Sequence, residues 1–234
     1  MDIVYTYKKP NYPLLGRDTD QKAWIDFSSK TAKKAGYRVV LYTNDNEIYH
    51  DLEVDELNLV ECNSNLWDSL KIKVLETRSN NNYFLADYDI EFFKNVNINS
   101  SADIIFDAYE DNNKIWNWAY KNTVQEIQNK LNIPIWSSKE IPVINVGILK
   151  INNEQLKHRY ISEWYKLEEH TKGLKLDPFF LTATITQYLL TLLVNEGKYT
   201  TYNYSGTNLG LANEFYHHYN GSQKIKKIRG EVLF

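Results

Sequence analysis

Two short segments, about 130 residues apart, carry the side chains most able to do chemistry. The first is Tyr83-Phe84-Leu85-Ala86-Asp87-Tyr88-Asp89, an apolar run that ends in two carboxylates. Where a strand stops and the chain turns, an Asp-x-Asp pair can direct both carboxylates into one crevice. Hard divalent cations such as Mg²⁺ or Mn²⁺ take oxygen ligands of this kind, and the bound ion then bridges phosphate oxygens. The second is His218-Tyr219-Asn220-Gly221-Ser222-Gln223-Lys224. His218 offers a neutral imidazole nitrogen as a third metal ligand. Gly221 lets backbone approach a diphosphate closely, and Lys224 supplies positive charge to it. His217 is the neighbouring imidazole, but only His218 has the His-x-x-Gly-x-x-Lys spacing. Metal-assisted binding of a nucleotide diphosphate is the chemistry these two segments share.

A second Asp-x-Asp, Asp18-Thr19-Asp20, reads differently. It precedes a helical pattern, where carboxylates cap free N–H groups and suit the helix dipole. No apolar strand delivers it.

The elements that must position these groups are read from periodicity. Asp2–Tyr7 alternates and is rich in β-branched and aromatic residues, so it is a first strand. Residues 8–17 hold two prolines and a glycine and form a loop. Residues 18–35 have a helical apolar stripe (Trp24, Ile25, Phe27, Ala32) with Gly36 as its stop. Strands are expected over 37–42, 57–61, 83–86, 103–106 and 143–151. Helices are expected over 66–78, 112–131, 154–169 and 178–194. The chain from Tyr199 onward reads as an irregular polar tail, lid-like and mobile without ligand. Strands alternating with helices predict an α/β fold with a doubly wound, mostly parallel sheet flanked by helices. Ligands of such sheets sit at the carboxyl ends of the strands, and Asp87 and Asp89 lie at such an end. The 234 residues are read as one domain, with 1–110 as a nucleotide-binding half and 111–234 as an acceptor half.

Composition bounds the partners. The net charge is -3, which argues against a nucleic-acid partner. No run approaches the roughly 20 apolar residues of a membrane span. The N-terminus lacks the pattern of a signal peptide, and the single Cys62 suits a reducing compartment, so a cytoplasmic location is expected. Aromatic residues make up 14% of the chain, and ring faces of this kind suit carbohydrate as well as an ordinary core.

In this order and placement the motifs resemble glycogenin and the lipopolysaccharide galactosyltransferases, retaining enzymes of the GT-A fold. Those proteins carry Asp-x-Asp after an apolar strand, then Asn-x-Gly, then Asp-Gln, then His-x-x-Gly-x-x-Lys-Pro-Trp. Here stand Asp87-Tyr88-Asp89, Asn145-Val146-Gly147, Gln187, and His218 to Lys224. Lys71 lies sixteen residues before Asp87, where the family has a basic residue that contacts the donor. The resemblance implies a UDP-sugar donor, Mn²⁺ or Mg²⁺ on Asp87, Asp89 and His218, and a glycan, lipid-linked or protein hydroxyl as acceptor. It implies donor contacts from Lys71, Tyr88, Gly147, Gly221 and Lys224, and places Asn145 and Gln187 at the reacting centre. It also puts the uracil at the end of the first strand, at Tyr5, Thr6 and Tyr7. The sequence departs from the family pattern at Thr186, which replaces the Asp before Gln187, and at Ile225-Lys226, which replaces Pro-Trp.

Other nucleotide chemistries fit less well. An aspartyl phosphatase needs its Asp-x-Asp on the first strand. A sugar nucleotidyltransferase needs a Gly-rich loop near the N-terminus, and residues 8–17 hold only Gly16. A dinucleotide fold needs Gly-x-Gly-x-x-Gly, which is absent. The alternative from another class is a non-catalytic module of the same fold that binds sugar or nucleotide without turnover.

Overall fold

Strand β1 (Asp2–Tyr7) shows why a period of two builds this molecule. Ile3 and Tyr5 point to one face and Val4 to the other, and all three are buried. Both faces of a doubly wound sheet are covered by helices, so its central strands bury both sets of side chains. The computed structural model describes residues 1–8, 21–48, 52–79, 82–95, 100–110, 113–134, 136–206 and 213–219. Asp18 and Asp20 on one side and Gly221 and Lys224 on the other lie outside the described residues.

Around β1 the sheet grows in both directions. On one side β2 (Arg38–Thr43) and then β3 (Glu56–Leu59) pair in parallel. On the other β4 (Tyr83–Ala86) also runs parallel, with Ala86 level with Tyr5. Beyond it β7 (Val143–Ile151) runs antiparallel to both β4 and β6 (Ile104–Glu110), and β8 (Thr201–Asn203) closes that edge parallel to β6. The order is β3-β2-β1-β4-β7-β6-β8. The expected α/β, mostly parallel sheet is therefore present, with β7 as the reversed strand. That sheet runs through both halves of the chain.

Helix α1 (Gln21–Lys34) covers the face that carries Ile3, Tyr5, Val39, Leu41 and Phe84. It stops at Gly36, whose φ of 88° continues the chain in the left-handed region. The Tyr37 amide returns to the Ala32 carbonyl and the Gly36 amide to Lys33, which satisfies the last turn. The opposite face is covered by α2 (Ser69–Thr77), α5 (Glu154–Thr171) and α7 (Leu189–Gly197). Asn153 caps α5 through the Leu156 amide, and Asp177 with Pro178 opens α6 (Pro178–Ala183).

The structure changes several expected elements. The helix expected over 112–131 is α3 (Asn113–Ile115), a π segment (Trp116–Tyr120) and α4 (Lys121–Lys130). A second π segment (Thr184–Tyr188) joins α6 to α7. Each adds a residue to a turn and rotates the helix beyond it, which periodicity alone does not reveal. The region after Tyr199 is not simply irregular. It supplies β8 and β9 (Tyr216–His218), and β9 pairs with β5 (Ile90–Phe92) in a separate two-stranded sheet. The run Pro178–Gly197 is, by length and composition, apolar enough to cross a bilayer, contrary to the expectation that no run approaches that length. It is 72% buried within the protein, so its apolar surface already serves the core.

Candidate metal and nucleotide site

The site begins where β4 ends. Asp87 is the first residue past the strand, and its amide donates to the Gly147 carbonyl of β7 at 2.7 Å. Through the turn at Tyr88, Asp89 leads into β5. Strand β9 comes back more than a hundred residues later and lies against β5, with His218 opposite Ile90. The Tyr219 amide closes this pairing on the Asp89 carbonyl at 2.9 Å. Alternation along β9 buries Tyr216 and His218 on the site side and leaves His217 half-buried, stacked on Tyr219 at 4.0 Å. Of the two histidines, His218 therefore faces the carboxylates.

Ligand atoms of Asp87, Asp89 and His218 all lie within 4.8 Å of one another. Nε2 of His218 stands 3.3 Å from Asp89 Oδ1 and 4.0 Å from Asp87 Oδ2. Its other nitrogen, Nδ1, is 2.6 Å from Asp107 Oδ2. Nδ1 donates its proton to Asp107, and once Nε2 gives up its own proton its lone pair faces the two carboxylates. This is the carboxylate–histidine arrangement that fixes a metal-binding imidazole in one tautomer. Asp107 is itself fully buried and accepts from Tyr216 Oη at 2.7 Å. Burial alone would lower the pKa of His218, but the carboxylates of Asp89 and Asp107 outweigh it and raise it well above the ordinary value. Three carboxylates around one imidazole leave excess negative charge. Two oxygens and one nitrogen at this separation fit a divalent cation such as Mn²⁺.

Lys71 on α2 stands beside this cluster. Its ammonium is 2.6 Å from Asp87 Oδ1 and 3.3 Å from Asp68 Oδ1. Burial would lower its pKa, but the two carboxylates hold it above the usual lysine value, so it is charged. Lys71 and Asp87 line a cleft with Thr6, Tyr7, Lys8, Trp67 and Tyr88. Lys8 anchors there on the carbonyls of Ser64 and Leu66. Gln21 and Asp68 complete the lining, and sequence reasoning names five of the nine residues as site residues. It passes over Lys8, Gln21, Trp67 and Asp68, which carry no motif.

Other expected site residues have different surroundings. Tyr5 is completely buried and its hydroxyl pairs with Ser28 Oγ at 2.7 Å, so its ring belongs to the core and does not stack on a base. The sheet is covered on that face as well, and alternation cannot place the ring outside. Gly147, expected as a donor contact, has a role within the protein. Its N–H donates to Asn145 Oδ1 and its carbonyl accepts from Asp87, so both backbone groups are engaged within the protein. What its small size allows is the His218 ring. A Cβ at Gly147 would lie 2.3 Å from His218 Cε1.

Asn145 and Gln187 belong to one hydrogen-bonded chain. Gln187 accepts from the Val146 amide at 3.1 Å and donates to Tyr120 Oη at 2.8 Å. Tyr120 donates to Glu110, and Asn145 Nδ2 donates to the other Glu110 oxygen at 2.7 Å. Each π segment contributes one residue to this chain, Tyr120 and Gln187. Burial raises the pKa of Glu110, and the donors Tyr120 and Asn145 oppose that rise. With each amide's oxygen and amino group already engaged, Asn145 and Gln187 hold β7 in place beneath His218. Asp107, Glu110, Tyr120 and Asp68 were not found from sequence. The sequence signal for Asp107 is a carboxylate directly after the apolar run Ile104-Ile105-Phe106, and the structure puts it where β6 shifts register against β7.

No family model matches the chain, and no curated protein matches it. Among solved structures it is similar to LgtC, a galactosyltransferase solved with donor and acceptor sugar analogues. The identity is 11% and the TM-score 0.43, over 80% of this chain and 71% of that one.

Proposed function

We propose that this chain is a glycosyltransferase that moves a sugar from a UDP-sugar to a hydroxyl acceptor. The observation that carries the reading is the convergence of Asp87, Asp89 and His218 at the carboxyl end of β4, with Asp107 orienting the imidazole from behind. The three ligands would hold Mn²⁺ or Mg²⁺, which when bound offsets charge on the leaving diphosphate. Lys71 pairs with Asp87 and brings a buried positive charge to the cleft. Tyr7, Tyr88 and Trp67 give the cleft aromatic surface on which a base can lie. A retaining course is part of the proposal and rests on the resemblance of the motifs.

Calorimetric titration of UDP with and without Mn²⁺, followed by UDP release from a panel of UDP-sugars, tests this reading. Metal-dependent UDP binding with slow donor hydrolysis supports it. Binding without any release from the panel would favour a non-catalytic module. The absence of metal-dependent UDP binding would refute it.

A further inference from the structure

Beyond the cleft a row of aromatic rings leads away from the metal site. Trp67 lines the cleft, and its ring lies 5.7 Å from Phe179 at the start of α6. Phe179 stands 6.0 Å from Trp118 in the first π segment, and Trp118 stands 5.4 Å from Phe180. Trp67, Phe179 and Phe180 are half-buried, while Trp118 is 64% exposed. A single exposed apolar residue is ordinary. An exposed indole that continues a path of ring contacts to a polar cleft is a different feature, because it offers aromatic surface to solvent beside the site.

We propose that this shelf receives the acceptor and that the acceptor is a saccharide, its rings stacking on Trp118 and Phe179. The inference rests on the glycosyl-transfer reading. The ring centroids are 5.4–6.0 Å apart and their planes meet at 37–88°, so each ring offers its own face. A sugar offers apolar C–H faces to an aromatic ring while its hydroxyls stay solvated. The rim suits those hydroxyls, since Lys114, Asn117, Lys121 and Asp177 are exposed around the rings. An apolar or protein partner would need a broader face, roughly 800 Å² per side for a stable interface, and only one of the four rings is open to solvent. In the transfer, the acceptor hydroxyl oxygen bonds to the anomeric carbon as that carbon's bond to the diphosphate oxygen breaks. The diphosphate leaves with the electron pair and takes up the hydroxyl proton.

Saturation-transfer NMR with lactose, maltose, cellobiose and octyl β-maltoside tests the shelf without needing the true acceptor. The wild type should saturate sugar-ring protons of at least one of these probes. Trp118→Ala should lower that signal at least fivefold, and Trp118→Phe should keep part of it. The indole is exposed, so the variant should fold. No saccharide signal in the wild type, an unchanged signal in Trp118→Ala, or saturation of the octyl chain alone would each overturn the proposal. UDP affinity with Mn²⁺ is measured in parallel and should be equal in wild type and Trp118→Ala. If neither binds UDP with metal, the glycosyl-transfer reading fails, while the sugar spectra still decide whether the shelf binds saccharide.

Discussion

Replacing Gly147 with alanine adds one methyl group at the tightest point of the site. Its carbon would lie 2.3 Å from Cε1 and 2.5 Å from Nδ1 of His218, and 2.9 Å from Asn145 Oδ1. Carbon atoms settle at roughly 3.5–4.0 Å, so the imidazole must retreat by more than about 1 Å. The ring has little room, since Nδ1 is held by Asp107 at 2.6 Å and β9 is paired to β5. Gly147 is not in the left-handed region, so the backbone accepts alanine and the contact alone is tested. Overpacking of this kind destabilises by about 1–3 kcal/mol. In a chain of this size each kcal/mol lowers Tm by about 2–4 °C. Turning the imidazole away from Asp107 should weaken Mn²⁺ binding by roughly 10–100-fold, the range for loss of an orienting partner. Scanning fluorimetry reads the first effect and a Mn²⁺ titration reads the second. Gly173→Ala is the control, because a Cβ there meets nothing within 4 Å. A Gly147→Ala protein with wild-type Mn²⁺ affinity would refute the claim that the His218 ring sits on Gly147 as a metal ligand.

Further changes probe the supporting groups. Asp107→Asn keeps a hydrogen-bond acceptor but removes the charge behind the imidazole, and should lower Mn²⁺ affinity about 10–100-fold. Equal affinity in a direct titration would show that Asp107 does not orient the ligand. Lys71→Ala leaves Asp68 and Asp87 without their cation. Because Lys71 is buried, urea unfolding should show a loss of about 3 kcal/mol, near the lower end for breaking a buried ion pair. A loss under about 1 kcal/mol, the size of a surface pair, would contradict a buried pair. Tyr120→Phe removes the hydroxyl between Glu110 and Gln187 and should destabilise by about 1–3 kcal/mol, since buried partners are left unmade. An unchanged unfolding midpoint would mean that the hydroxyl does not bridge the two π segments.

The sequence disclosed local chemistry well and long-range geometry poorly. Asp87 and Asp89 are legible because an apolar strand and its terminal carboxylates are neighbours in the chain. His218 is legible because a spaced motif frames it. Helix α5, with its Asn153 cap, and α1, with its Gly36 stop, obey local rules. Asp107 is different. It lies 111 residues from His218, and only the pairing of β5 with β9 and the register shift in β6 bring the two together. Three-residue strands such as β5 and β9 have too few side chains to show a period. The π segments are hidden because Trp116–Tyr120 and Thr184–Tyr188 look like ordinary helix in composition. Tyr5 misleads for another reason. Alternation assigns it a face, but both faces of this sheet are buried.

The central claim is tested most directly by a Mn²⁺ titration, monitored through the electron paramagnetic resonance of the free ion, with UDP present. The wild type should bind one Mn²⁺ per chain, and Asp87→Ala, Asp89→Ala and His218→Ala should each remain folded and lose most of that binding. Wild-type stoichiometry and affinity in all three variants would contradict the assignment of these residues as the metal site.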